Sequence, residues 1–321
     1  MKFHVSVFKC FYRIGATAFI AFFLSVMYAE AAGQEITPAD NWYLAKAIDD
    51  SLIRMYDLKE SFDKKLISNA LRPRNVFEKA FDVAEKFNML HNNAVDRNKL
   101  LEFAKVTDIN RTKPGDVYEV LSLIKAHLLE KGAFTEYTGE KISKTPSDVF
   151  QMMRQISLHY YETAKKKGIV TNWATPAQVY EAVATTLLPA VQAIADEAGI
   201  KYQDYLFPKQ PVSGVVPRYT YKLFYHVYNN ISKYYMYKDN YEPVSFTEVN
   251  DCDDISPADM FDLAQIIASE LKANIGVKSL KSETAARYAA WKSSREEILP
   301  GHTFRLLQYN FILSKSILAG E

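Results

Sequence analysis

Apolar residues recur along most of the chain at intervals of three and four positions, the spacing of one face of an α-helix. The clearest stripe begins after Pro146 and continues to Gly168, which follows three lysines. Lysine followed by glycine is typical of a helix C-terminus. The pattern predicts helices at about 37–65, after Pro73, at 99–104, after Pro114, Pro146 and Pro176, at 219–237, after Pro257, at 282–299 and at 302–318.

Six stripes open with variants of one phrase: Ser or Thr, Pro, any residue, then Asp, Asn or Gln, Val or Met, and an aromatic residue. Proline lacks an N–H and has a fixed φ, so it suits the first helical position. The hydroxyl residue before it is then the N-cap, and the residue two places after it can bond back to that cap. We therefore predict structural cap roles for Thr37, Pro38, Asp40, Pro73, Pro114, Asp116, Thr145, Pro146, Asp148, Thr175, Pro176, Ser256, Pro257 and Asp259.

Six copies of one helix start indicate an internal repeat. The first five prolines of the phrase are 35, 41, 32 and 30 residues apart, which leaves room for one helix and a connection. Short connections would make successive helices antiparallel. The sequence thus predicts an all-α fold of about eight to ten helices built from degenerate repeats. We expect an antiparallel helical bundle or an α-solenoid-like array, with a kink at Pro189.

The repeat is interrupted after the Pro176 stripe, since the next full copy starts only at Pro257. The segment 207–217 contains three prolines and a glycine, which is typical of a loop. We divide the chain into a signal peptide at 1–31, an N-terminal helical repeat region at 32–200, a linker at 201–217 and a C-terminal helical region at 218–321. The two helical regions also fit one continuous domain.

The first thirty residues have the composition of a secretory signal peptide. Three basic residues precede an uncharged apolar run at 14–29, and 29–31 is a cleavage site of the A-x-A type. The run is shorter than the roughly 20 residues of a membrane span, so a retained anchor is the weaker alternative. We expect an exported protein, periplasmic or extracellular, with no permanent membrane span after cleavage.

Charge and cysteine content narrow the classes of partner and of covalent chemistry. The 39 basic and 38 acidic side chains are nearly balanced, so no nucleic-acid partner is predicted. Cys10 would leave with the signal peptide, and Cys252 then has no partner for an intramolecular disulfide. Three neighbouring aspartates disfavour a thiolate at Cys252, so we expect an inert thiol.

No catalytic, cofactor-binding or metal-binding motif occurs in the sequence. The P-loop, the Rossmann glycine pattern, the nucleophile elbow and the zinc-protease motif are all missing. The histidines after the signal peptide are scattered singly, which favours surface or structural roles over a metal site. We therefore predict no cofactor, no metal and no catalytic residue. An enzyme of helical fold without a recognisable motif is the third hypothesis.

A tyrosine-rich segment is the best candidate binding surface, because tyrosine combines a flat apolar ring with a polar tip. Helical spacing favours the core for several of these residues, whereas Tyr234 and Tyr237 lie beside lysines and are expected to be exposed. The candidates are Tyr219, Tyr221, Tyr225, Tyr228, Tyr234 and Tyr237.

Helical repeats present extended surfaces, and the sequence contains no catalytic motif. Both observations favour a binding function. We expect an adaptor or scaffold that binds a protein partner in the cell envelope or outside the cell. A small-ligand-binding or sensory domain with a tyrosine-lined pocket is the alternative.

Overall fold

The helices predicted from the apolar stripes are present in a computed structural model of the chain. The structure describes residues 35–59, 67–92, 94–106, 108–169, 175–239, 242–247, 254–295 and 297–320. Within these ranges there are ten helices and no strand, so the predicted all-α fold of about ten helices is confirmed. The helices are α1 (Pro38–Tyr56), α2 (Pro73–Leu90), α3 (Arg97–Val106), α4 (Pro114–Glu130), α5 (Pro146–Lys166), α6 (Pro176–Ala182 and Leu188–Glu197, joined by the π-helical turn Val183–Leu187), α7 (Pro217–Asp239), α8 (Pro257–Ile275), α9 (Ser282–Ser293) and α10 (Pro300–Ala319).

Eight of the described helices begin at a proline. At the start of α5, the Thr145 hydroxyl accepts a hydrogen bond from the Asp148 N–H at 3.2 Å, and the Asp148 carboxylate accepts one from the Thr145 N–H at 2.7 Å. Ser256 and Asp259 form the same reciprocal pair on α8 at 3.3 and 2.7 Å. α10 also starts at a proline, Pro300. The apolar pattern places that start two residues later and is wrong on this point.

Helices α1, α2, α4 and α5 run parallel, and we call them the first group. Their N-terminal residues surround one cavity of about 10 Å³, the first proline cavity. Further along, Lys86 Nζ of α2 lies 3.3 Å from Ser157 Oγ of α5, and the rings of Phe87 and Tyr160 are 5.8 Å apart. These four residues lie at similar distances from their helix prolines, so the helices are parallel and not antiparallel as predicted. The cavity is lined by Pro38, Asn41, Pro73, Val76, Pro114, Val117, Pro146 and Val149.

Helices α6, α7, α8 and α10 form the second group in the same way. Their N-terminal residues surround the second proline cavity, of about 30 Å³. Asn230 Nδ2 of α7 lies 3.1 Å from Ser314 Oγ of α10, and both residues are near the same depth in their helices. The two groups run in opposite directions, because Asn75 near the start of α2 bonds to Ser269 near the end of α8, at 2.7 Å. One continuous cluster of buried apolar residues extends through both groups.

Parallel neighbours need connections that return along the group. We call 133–145 the first strap and 200–216 the second strap. The second strap runs antiparallel to α10: the Tyr309 hydroxyl donates to Gln203 O at 2.7 Å, and the Val212 N–H donates to Gly301 O at 3.3 Å. A Cβ on Gly301 would lie 2.0 Å from Val212 O, so glycine is needed at this contact. The segment expected to be a linker, 201–217, is thus largely an irregular connection within the second group, and the domain division stays a prediction.

Two other helix ends differ from the sequence pattern. α1 ends at Tyr56 and α9 ends at Ser293, nine and six residues before their predicted ends. At Pro189, where the sequence predicts a kink, the helix continues: the π-helical turn lies directly before the proline and the Leu188 N–H bonds to Val183 O. The wider π-turn accommodates a residue that cannot donate a main-chain hydrogen bond.

Candidate functional site

The tyrosine-rich segment contributes more to the core than to the surface. Tyr221, Tyr228 and Tyr234 are buried, so the exposure expected for Tyr234 is wrong. Its ring packs inward because the core face of α7 is wider than the spacing suggested. Tyr225 is half-buried and Tyr219 is exposed. The side chain of Tyr237 lies outside the described residues.

A large surface concavity lies elsewhere, where the first strap crosses α1 and α4. Three contacts fix the strap. Lys125 Nζ bonds to Glu136 Oε1 at 3.2 Å. The rings of Tyr137 and Tyr43 have centroids 4.8 Å apart. The Tyr43 hydroxyl bonds to the backbone of Ile142, where it donates to the carbonyl oxygen at 3.1 Å and accepts from the N–H.

Between these contacts, the strap and the outer face of α1 enclose an open cleft of about 620 Å³, which we call the strap cleft. Lys46, Asp50, Ile53 and Arg54 form the helix wall, and 135–139 forms the strap wall. Lys46 and Asp50 pair with each other across one helical turn. Tyr137 folds back over Gly139, where a Cβ would lie 2.3 Å from the tyrosine hydroxyl. The cleft therefore has a charged helix side, half-buried except at Arg54, and an exposed main-chain side.

A smaller cavity of about 130 Å³ lies beneath the strap. Tyr43, Tyr118 and Tyr137 contribute aromatic walls, and Lys125 and Glu136 place both signs of charge at its edge. Lys141 Nζ lies 5.7 Å from the centroid of the Tyr43 ring, a cation–π geometry that holds this part of the strap against α1. This is a tyrosine-lined pocket, although none of its tyrosines belongs to the predicted set.

The strongest concentration of ionisable groups is buried between the two helix groups. Lys79 Nζ of α2 lies 2.7 Å from Asp82 Oδ2 and 2.7 Å from Asp262 Oδ1 of α8. Arg154 Nε of α5 lies 2.8 Å from Asp262 Oδ2 and also pairs with Asp259. Lys86 pairs with Asp82 from the other side. We call these six residues the interface network.

Burial and mutual attraction compete inside the interface network. Burial lowers the pKa of Lys79, but the charges of Asp262 and Asp82 outweigh it and raise the pKa above its ordinary value. Burial also lowers the pKa of Lys86, and the nearby charge of Lys79 lowers it further. The charge of Asp82 raises it, but the result is a pKa of about 7. Perturbed groups mark functional sites when they lie in a cleft. These side chains are sealed between helices, which favours a structural role.

An aspartate–histidine pair is also buried in the first group. His159 Nδ1 lies 2.5 Å from Asp49 Oδ1, and His159 Nε2 lies 2.7 Å from the Lys59 carbonyl oxygen. Burial lowers the pKa of His159, but the hydrogen bond and charge of Asp49 outweigh it and raise the pKa. Both ring nitrogens are occupied by protein acceptors, so the pair has no free nitrogen to act as a general base on a substrate.

His91 and His127 lie near each other at the C-terminal end of the first group, with ring centroids 5.6 Å apart. Burial, then the charges of Lys167 and His127, lower the pKa of His91 to about 4. Its Nε2 lies 3.1 Å from the Tyr56 hydroxyl. Within the described part of the chain, no group of three or more His, Cys, Asp and Glu side chains could hold a metal ion.

Sequence reasoning missed the strap cleft, although two signals pointed to it. Tyr137 is followed closely by Gly139, and the connection between α4 and α5 is too long for a tight turn. Comparisons with models of known protein families, with curated proteins and with solved structures found no match. Among the described helices, none has both the length and the apolar composition to cross a membrane.

Proposed function

We propose that this chain is an exported helical protein that acts by binding a partner, as an adaptor or scaffold, and that the partner docks in the strap cleft. The observation that carries the proposal is the cleft volume of about 620 Å³. Small-molecule pockets are usually about 300–1,000 Å³, so a cleft of this size has room for several side chains of a bound segment. The cavity beneath the strap, at about 130 Å³, is below that range.

The strap wall favours an extended polypeptide segment as the occupant. Within the described residues, the backbone of 135–139 makes no hydrogen bond to another backbone group. Main-chain groups without such bonds can pair with a strand from a partner, as in strand addition. On the opposite wall, Arg54 is exposed and forms no ion pair with any described residue. We therefore expect an acidic side chain in the bound segment.

A photo-crosslinking amino acid at Thr138, in the strap wall, tests this proposal. Cells producing the full chain should yield an adduct of defined mass on irradiation. The matched control places the same amino acid at Ile312, which is exposed on α10. Adducts of the same pattern at both positions, or none at Thr138, would contradict a specific site. Arg54→Glu should weaken the Thr138 adduct without changing the far-ultraviolet circular dichroism.

The cavity beneath the strap supports a second candidate, a small-ligand-binding or sensory function. Its tyrosines and its two signs of charge suit a small polar molecule, and its 130 Å³ limits the size of that molecule. Native mass spectrometry of the protein purified from its source should then show a bound small molecule. The Tyr118→Ala variant should lose it, whereas the Tyr219→Ala variant should keep it.

Export rests on residues 1–31, and residues 1–34 lie outside the described part of the chain. The charged start, the apolar run and the cleavage pattern support it. We expect a mature N-terminus directly after residue 31, which intact-mass measurement of the protein from its source would detect. A mass that includes residues 1–31 would favour the retained anchor.

A further inference from the structure

Two opposite charges flank the strap cleft, and neither is paired. Arg54, on the helix wall, is exposed and forms no ion pair with a described residue. Glu140 directly follows the strap wall, is also exposed, and forms no ion pair within the described part of the chain. The two side chains therefore have complementary charges but do not neutralise each other within one chain.

The main chain of the strap wall is unpaired as well. Before it, the Phe134 N–H bonds to Leu128 O at 3.2 Å, and after it, the carbonyl oxygen of Glu140 lies 3.3 Å from the Tyr43 hydroxyl. Between these contacts, the N–H and C=O groups of 135–139 bond to no other described residue. An unpaired row of this kind can bond to an identical row from a second chain that runs in the opposite direction.

The strap also has a shape that can enter a cleft. Its bulky side chain, Tyr137, is half-buried and packs against Tyr43 of its own chain, with ring centroids 4.8 Å apart. The next two residues, Thr138 and Gly139, are small and exposed. The outer side of the strap therefore presents main chain and small side chains, followed by the carboxylate of Glu140.

We propose that the partner in the strap cleft is a second copy of this chain, in a two-fold symmetric dimer. The strap of each copy enters the cleft of the other, 135–139 pairs antiparallel with its equivalent, and Glu140 of one copy pairs with Arg54 of the other. The inference rests on the proposed function, and it deepens that function because it names the partner. A second copy supplies both the acidic side chain and the unpaired main chain that the cleft requires, and a two-fold contact fills both clefts at once.

Analytical ultracentrifugation of the mature full chain tests the dimer and its ion pair. Arg54→Glu and Glu140→Arg should each raise the Kd of the dimer about tenfold, because each dimer contains the pair twice. The double variant Arg54→Glu/Glu140→Arg restores opposite charges and should return the Kd to near that of the natural chain. Glu102→Arg, at an exposed position of α3, is the control and should leave the Kd unchanged.

Two results of this experiment would overturn the proposal. One is a natural chain that stays monomeric at every concentration, and the other is a double variant that dimerises no better than the single variants. Hydrogen–deuterium exchange checks the main-chain pairing: exchange in 135–139 should slow as the protein concentration rises, whereas exchange in α7 should not change. A dimer whose strap exchanges at the same rate as the monomer would also contradict it.

Crosslinking in cells separates this inference from the proposed function. With the photo-reactive amino acid at Thr138, a second copy as partner gives an adduct of twice the mass of the mature chain. An adduct with a different protein would leave the proposed function standing and overturn the dimer. No adduct at Thr138 would overturn both.

Discussion

At the scale of the residue, Thr145 and Asp148 show that a structural role, here helix capping, can depend on neighbouring residues alone. Both hydrogen bonds of their capping box lie within four consecutive residues. A backbone donor at a helix start needs a partner, and a hydroxyl residue before proline provides one wherever the fold places it. This is why cap residues can be assigned from sequence.

Replacing Thr145 by alanine should lower the free energy of unfolding by about 1 kcal/mol, because the Asp148 N–H loses its acceptor. Thr145→Ser keeps the oxygen and should be close to the natural chain. Urea unfolding of both variants measures the difference. Equal stability of the alanine and serine variants would show that the cap bond contributes nothing measurable.

Lys86 is the opposite case, since its properties depend on residues far away in sequence. Its pKa is lowered to about 7 by burial between the groups and by Lys79. A lysine whose pKa is lowered on folding releases its proton above pH 7, whereas the unfolded chain keeps it up to about 10.4. The unfolded chain then binds more protons, so this residue makes stability rise with pH in that window.

We expect Lys86→Met to abolish that rise. In the natural chain, Lys86 contributes an increase of at most about 1.4 kcal/mol per pH unit between pH 7 and 10. The variant removes a costly buried cation and leaves Asp82 paired with Lys79. Denaturant unfolding at pH 6, 7.5 and 9 compares the two proteins. The same pH slope in both would assign the effect to other groups.

At the scale of the element, the straps decide which way the helices point. The presence of the helices was predictable, because it depends on apolar spacing and cap signals, whereas the ends of α1 and α9 were not. The direction of the helices was not predictable either, because it depends on whether a connection turns tightly or returns along the bundle. The 15 residues of 131–145 can span roughly 50 Å when extended, which is more than the length of α4.

Tyr43→Phe should loosen the first strap without disturbing the core. The variant keeps the buried ring and loses the hydroxyl that bonds to Ile142, at a cost of about 1 kcal/mol. Hydrogen–deuterium exchange should increase in 135–142 and remain unchanged in α7. Tyr219→Phe, at an exposed position, is the control. Unchanged exchange in the strap would show that its other contacts suffice.

At the scale of the whole molecule, the interface network joins two groups that run in opposite directions. Asp262 accepts from Lys79 of α2 and from Arg154 of α5, so one carboxylate of the second group binds two helices of the first. Removing one partner of a buried ion pair leaves an uncompensated charge, which is more costly than losing the whole pair.

Asp262→Asn should lower the free energy of unfolding by roughly 3 kcal/mol, because Lys79 and Arg154 both lose a carboxylate. Glu85→Gln, which removes an exposed partner of Arg97, should leave stability unchanged within error. Calorimetry should show a single transition for both variants, because the core is continuous through both groups. Two separate transitions in Asp262→Asn would mean that the groups fold independently.

The candidate site depends both on local sequence patterns and on the tertiary structure. The sequence directs attention to the tyrosines of α7, and Tyr221, Tyr228 and Tyr234 are buried there because helical spacing serves a core face as well as a binding face. The sequence signals a long connection with Tyr137 close to Gly139, but not the walls of the strap cleft, because Lys46 and Arg54 meet 135–139 only after the strap has folded back.

By itself, the sequence determined the six capped helix starts, the helical class and the apolar faces, because caps, propensities and periodicity act over a few neighbouring residues. The tertiary structure alone decided the parallel grouping, the buried charge pairs, the proline cavities and the cleft. Those features join residues up to about two hundred positions apart, as Asn75 and Ser269 show. Such contacts depend on the path of the connections, and no local pattern encodes that path.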